Sequence, residues 1–444
     1  MLQKQNLIDT EVLGIIDNAT PYVIPTVAVI IHTESMNMTV GHLQTYRTEC
    51  NYNTDISDII FIDFMIPMGT FIRDIYAQRD SLEVTIEIKT GTKKVKNKYK
   101  GTILNKLPTE YNSTISNLDM TELDKQDMFE CNIQCIDPLT LALKNKITSG
   151  IYHDITLTKL LKGILSHGLK DITVIGKKLI YNLNIYKSDN DQVFNNIIIK
   201  PFTKIIKLPY ELQHNSYGLY KGDIGIYFSK LDTTTLATTY DIYIYPLFNY
   251  ERYEEELDLP RLLLINPNLP NVTKNDNNAF YDVNTYKIAI SEISFNDINE
   301  HNRYNEGNGV ISIKKDLFND KSLVNVTDTK ITFKSDETFD YHNDNRILDY
   351  AKYIEINQKE NEYIYYSNIN KNKSVLATIK LPNINSEVLI PGMAVKYMFL
   401  EKDKVVTTTG ILQGCNRSYD MVRKVSISIL FVSFKRIEKG VTSV

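Results

Sequence analysis

Cys131 and Cys135, in the stretch FECNIQCI, are the first residues of this 444-residue chain whose type and spacing could do chemistry. Thiolates at short spacing bind zinc, but a closed site needs a second Cys or His pair nearby, and none follows. On a strand the two would share one face, which suits buried free thiols. Ser188-Asp189-Asn190-Asp191 carries the oxygen ligands of a calcium loop without its glycine or its bidentate Glu, so a solvated turn is expected. Glu254, Glu255 and Glu256 are carboxylates of the kind glycosidases use, yet neighbours in sequence do not make a pair across a sugar, and a charged surface turn is expected. His301 and His342 lie among Asn and Asp and read as surface residues. The phosphate-binding loop, G-x-G-x-x-G, the G-x-S-x-G elbow and H-E-x-x-H are all absent. No catalytic, cofactor-binding or metal residue is therefore expected, and the chain reads as a non-enzyme.

The elements that would position any such residue belong to a folded chain of about three domains, with 43% hydrophobic and 23% charged residues. A net charge of -4 and a pI near 6.0 provide no chain-wide positive field for nucleic acid. The basic hairpin Lys89 to Lys106 is the local exception; only Tyr99 interleaves its lysines, so a solvated or subunit-facing hairpin is expected over a DNA contact. No apolar run is long enough to span a membrane, and the N-terminus lacks the order of a secretory signal. Four scattered cysteines imply reduced thiols and synthesis in a reducing cytoplasm.

Alternation marks the first third as strands. Val27, Val29 and Ile31 suit an inner strand; in SLEVTIEIKT, Leu82, Val84, Ile86 and Ile88 face one way and Glu83, Thr85, Glu87 and Lys89 the other. Thr109 to Gln126 reads as a linker and Met128 to Cys135 as another strand. After Pro138 the period changes: Leu157, Leu160, Leu161, Ile164 and Leu165 form a helix stripe, capped by Asp154 or Thr156, with Gly168 placed for a left-handed C-terminal residue. Pro201 suits a first helical position, with Pro209 splitting a helix from Phe202 to Asn215. Asn343 to Tyr353 has helical spacing, and strands return at Val375 to Leu381, Met393 to Leu400, Thr407 to Leu412 and Val425 to Phe434.

Between helix and strand lies LPYELQHNSYGLYKGDIGIY, a tight aromatic turn at Tyr217-Gly218, Tyr220 and Lys221-Gly222, followed by Ile224, Ile226 and Phe228 on one strand face. With the junction FECNIQCIDPLTLALKNKITSGIYHDITLTKLLKGILSHGL and the C-terminal run holding Leu389, Pro391, Gly392 and Gly410, it resembles the central hub proteins of phage tail baseplates, related to the hub part of type VI secretion spike proteins. The resemblance covers most of Phe129 to Glu438, is weak around Asn249 to Tyr341, and lacks the C-terminal needle of the spike proteins. It implies a mainly β fold with an α+β insert: two tail-tube-like β-barrels flanking a smaller mixed region. The expected division is 1–140, 141–257 and 258–444, the last with an Asn/Asp-rich loop insert and one helix near 343–356.

The function implied is a structural hub adapting a six-fold tail tube to a three-fold tip or spike. Its implied partners are two more copies in a homotrimer, tube protein above, a spike or tip protein below and baseplate wedge proteins, with phage DNA passing through the lumen. The implied place is the virion tail, assembled in the host cytoplasm. Glu83, Glu87 and Lys89 are the expected contact with a neighbouring barrel. A tail-tip enzyme such as a cell-wall hydrolase, or a receptor- or carbohydrate-binding tail protein, stands as the alternative.

Overall fold

The structure, a computed structural model, describes residues 26–435 apart from 91–92, 106–127, 215–216, 234–235, 256–257, 267–278, 283, 291, 297–309, 317–320, 324–329, 333–337, 341–351, 357–362, 364–366, 368–369, 372–373, 383–388 and 402–403. Period-two alternation turns the first region into β1 (Thr26–His32), β2 (Asn37–Thr39), β3 (His42–Glu49), β4 (Ile59–Pro67), β5 (Glu83–Thr90), β6 (Lys93–Ile103) and β7 (Met128–Ile136). Their hydrogen-bonded order is β3-β4-β7-β6-β5-β1-β2, antiparallel throughout. Only Val40 and Gly41 separate β2 and β3, the two ends of that path, so the sheet curls back on itself into a barrel. Val29, Ile31, Leu82, Val84 and Ile86 point inward with Phe64, Cys131 and Ile133. Phe71, Ile72 and Ile75, on the helical turn Phe71–Tyr76 between β4 and β5, join the same core.

The insert holds a ribbon of β8 (Ile147–Thr156) with β11 (Val193–Lys204), and a sheet of β9 (Thr173–Val174), β10 (Lys177–Ile185), β12 (Ile224–Thr233) and β13 (Ala237–Pro246) in the order β12-β13-β10-β9. The leucine stripe forms the helix Leu157–Leu169, buried along Leu157, Leu160, Leu161, Ile164 and Leu165, with Thr156 Oγ1 accepting from Lys159 N at 3.4 Å. Gly168 stays within that helix; an added Cβ would lie 2.6 Å from Ile205 Cδ1, so this glycine serves close packing in place of the expected left-handed cap. Phe202 and Pro201 belong to β11, and the helix begins only at Leu208–His214, where Pro209 sits in the first turn without breaking a hydrogen bond.

The last region contributes β14 (Arg261–Ile265), β15 (Ala279–Asp282), β16 (Thr285–Ala289), β17 (Ile293–Asn296), β18 (Val310–Asp316), β19 (Lys321–Leu323), β20 (Lys330–Thr332), β21 (Thr338–Asp340), β22 (Lys352–Ile356), β23 (Ser374–Pro382), β24 (Ala394–Glu401), β25 (Lys404–Asp420) and β26 (Val425–Lys435). β22 pairs with β18 in parallel, which replaces the expected helix over 352–356; the β-prone sequence KYIEI alternates Ile354 and Ile356 with charge. The rest of that expected helix, like the 109–126 linker, lies outside the described residues.

The second unit repeats the first. Its order is β17-β23-β26-β25-β24-β14-β16, with β15 added beyond β16. Numbered within each unit, leaving out β15 and the β18–β22 insertion, both orders read third, fourth, seventh, sixth, fifth, first, second. Direction departs from the first unit only at β14, which runs parallel to β24 and β16. The units share a strand: β24 covers one edge of β25 as far as Ile411, and β3 covers that same edge from Arg417 to Asp420, so fifteen described strands form one sheet.

Candidate functional site

The structure scatters the residues whose types suggested chemistry. Cys131 and Cys135 face the first core, both 0% exposed and free; burial pushes Cys131 up to about 12, so these thiols stay protonated and unreactive. The Ser188–Asp191 turn is an internal brace. Ser188 Oγ donates to Leu219 O at 3.0 Å, Asn190 Nδ2 to Gly218 O at 2.7 Å, and Lys221 N to Asp189 Oδ2 at 2.8 Å. Gln213 secures the other side of that Tyr-Gly turn by accepting from Leu219 N and Tyr220 N. Gly218 takes φ +74°, and Tyr220 Oη donates to Tyr186 O at 2.8 Å, which gives the turn a packing role.

Glu254 pairs at the surface with Lys396 at 2.9 Å, and Glu255 is exposed beside it. Glu256, His301 and His342 lie outside the described residues. Four lysines of the basic hairpin pair within the barrel: Lys94 and Lys96 reach Glu87 at 2.8 and 2.9 Å, and Lys98 and Lys100 reach Glu83 at 2.5 and 2.7 Å. Alternation on adjacent antiparallel strands sets that match, so Glu83 and Glu87 carry their own lysine partners on that face. Among the described residues no group of three or more His, Cys, Asp or Glu could hold a metal ion.

The buried polar groups gather where the units meet the insert. Tyr227 of β12 donates to Asp58 Oδ1, and Cys50 Sγ donates to the same oxygen at 3.1 Å. Tyr52 packs edge-on against Tyr227, ring centroids 4.7 Å apart, and its carbonyl accepts from Tyr245 Oη at 2.7 Å. Burial, then the charge of Asp58, raises both Tyr227 and Cys50, so neither ionises near neutral pH. Loop and insert are thereby joined through one carboxylate, and Cys415 N of the second unit donates to Cys50 O at 2.9 Å.

A second cluster lies beside it. Asp137 follows β7 and caps the helix Pro138–Leu143 by accepting from Thr140 N at 2.8 Å, while Tyr240 Oη donates to it at 2.6 Å. Lys230 Nζ sits 4.4 Å from the Tyr99 ring centroid and donates to Lys98 O. Burial lowers Lys230 to about 8, against the opposing pull of Asp137, and raises Asp137 against the pull of Lys230. A lowered lysine beside a raised carboxyl is the electrostatics of an acid–base pair. Their surroundings argue otherwise: Lys230 lines a cavity of only about 140 Å³, below the ~300–1,000 Å³ of ligand pockets. The signal for Lys230 was present in the sequence, since it follows Ile224, Ile226 and Phe228 on the inward face of β12.

No protein-family model matches the chain, and no curated protein sequence matches it significantly. Among solved structures it is similar to the tail protein of Neisseria meningitidis MC58, at 10% identity over 93% of this chain and 97% of that one, with a TM-score of 0.47. It is similar to the 43 kDa tail protein of prophage MuSo2 from Shewanella oneidensis, at 10% identity over 92% and 96%, TM-score 0.45. It is also similar to an Escherichia coli component of the type VI secretion system, at 10% identity over 92% and 77%, TM-score 0.41.

Proposed function

We propose that the chain is a structural hub of a phage tail baseplate, adapting a six-fold tube to a three-fold tip and lining part of the DNA passage. The repeated strand order carries this reading: one chain supplies two barrel-like units of the same connectivity, joined through β25 and β3. Three copies in a closed ring would present six similar faces to a tube, and ring closure would protect sheet edges from uncontrolled pairing. The buried clusters fit the same role, because they hold the units and the insert in one arrangement and expose no reactive group. Tube protein above, a spike or tip protein below, and virion tail localisation follow as parts of the proposal. Imaging of the assembled tail tests it: a three-copy ring between tube and tip is expected, and six copies or one peripheral copy would refute it.

A further inference from the structure

A cleft of about 420 Å³ opens where loop 49–55 of the first unit meets the insert and the second unit. Its lining is rich in amides: Asn51, Asn53, Gln413 and Asn416. Gln413 is 5% exposed; its Nε2 donates to Leu247 O at 2.6 Å, and its Oε1 has no hydrogen-bond partner. A buried acceptor left unpaired costs ~1–3 kcal/mol. The walls also include Glu49 and Asp55, a single Lys371, two serines and Leu376, with Phe248 and Phe431 supplying rings.

The geometry points to a neutral saccharide as the ligand of this cleft. Amide side chains both donate and accept, as sugar hydroxyls do, and a carboxylate can accept from two neighbouring hydroxyls. The volume lies within the usual range for small-ligand sites. Other classes fit less well. Two carboxylates facing one lysine disfavour an anion. Glu49 is already paired with Arg47 at 3.3 Å, and no metal-binding group occurs among the described residues. A peptide adding as a strand needs a free edge, whereas β26 is paired on both edges and β25 beside the cleft is paired with β26 on one edge and held by Cys50, Asn51 and Tyr52 on the other. Because all three parts of the chain line the site, an occupied cleft would hold them together more firmly. This inference stands independently of the tail reading.

Saturation-transfer NMR of the full chain with glucose, galactose and N-acetylglucosamine tests it, with inorganic phosphate, calcium and trilysine as competing probes. Transfer from at least one sugar is expected, with affinity falling about tenfold in Asn53→Ala and in Asp55→Ala. Asn53 is exposed at the rim, so its variant keeps the fold. Silence from all three sugars, equal binding by wild type and Asn53→Ala, or binding of phosphate, calcium or trilysine in their place would overturn the inference.

Discussion

Gly392→Ala should be among the most damaging single-methyl additions to this chain, and Gly176→Ala separates the reasons. Gly392 is the third residue of the turn Ile390-Pro391-Gly392-Met393, closed by Met393 N donating to Ile390 O at 3.2 Å, and it takes φ +67°. An alanine there pays ~1–2 kcal/mol for the left-handed backbone. Its Cβ would also stand 2.2 Å from Tyr245 Cδ2 and 2.5 Å from Cγ. Tyr245 cannot step aside, being 0% exposed, bonded through its hydroxyl to Tyr52 O and packed edge-on against Tyr186 at 6.3 Å. Overpacking of this kind costs a further ~1–3 kcal/mol, for a total of roughly 2–5. Gly176 has φ +70° with nothing within 4 Å of its would-be Cβ, so Gly176→Ala measures the backbone part alone, ~1–2 kcal/mol. The loss of unfolded-state freedom is common to both and cancels in the difference. Urea unfolding followed by tyrosine fluorescence would give both values. Equal losses in the two variants would refute the steric reasoning at Tyr245.

Leu161→Ala, at a fully buried site in the core of the insert, should cost ~2–5 kcal/mol, and a loss below about 0.5 would mean the helix stripe does not pack as described. All four thiols are free and buried, so a thiol reagent should find none in the native protein and four after denaturation without reductant; a shortfall after denaturation would reveal a disulfide. Buried Cys50, Cys131 and Cys135, and Tyr52, Tyr99, Tyr227 and Tyr245, are raised above their ordinary 9.0 and 10.0. Above those values the unfolded chain loses protons that the folded chain keeps, so their stabilisation is complete below about pH 9 and falls as pH rises toward the folded values. A urea midpoint that holds constant from about pH 8 to about pH 11 would contradict this.

Local periodicity made the leucine helix, the Tyr-Gly turn and the inward face of β5 legible in the sequence, because each depends on neighbours within a few residues. Phe202 was misread for the same reason. Pro201 beside it is a local helix signal, but pairing with β8 on either side, at Ile199 and Thr203, places both residues in an irregularity of β11, where Phe202 takes φ +64° and is 78% exposed. The junction could not be read in the same way. Asp58 and Tyr227 are 169 positions apart, and no rule of spacing joins them. Asp137 was more accessible, since an Asp before Pro138 is an N-cap signal, and Lys230 occupies a position its strand reserves for apolar side chains. The repeated strand order is a property of pairings between distant segments, with no counterpart in a repeated sequence.

Sharing β25 between the two units also has a cost in time. The edge of β3 from Thr45 to Thr48 finds its partner in Arg417 to Asp420, and Cys50 N reaches Asn416 across 366 positions. At ~5–20 residues per second, a ribosome needs roughly 20–70 s to supply that partner after β3 has emerged. Throughout that interval the first unit carries an incomplete edge, open to pairing with other nascent chains. A chaperone that shields β3 during synthesis should therefore raise the yield of folded protein more than one that acts after release.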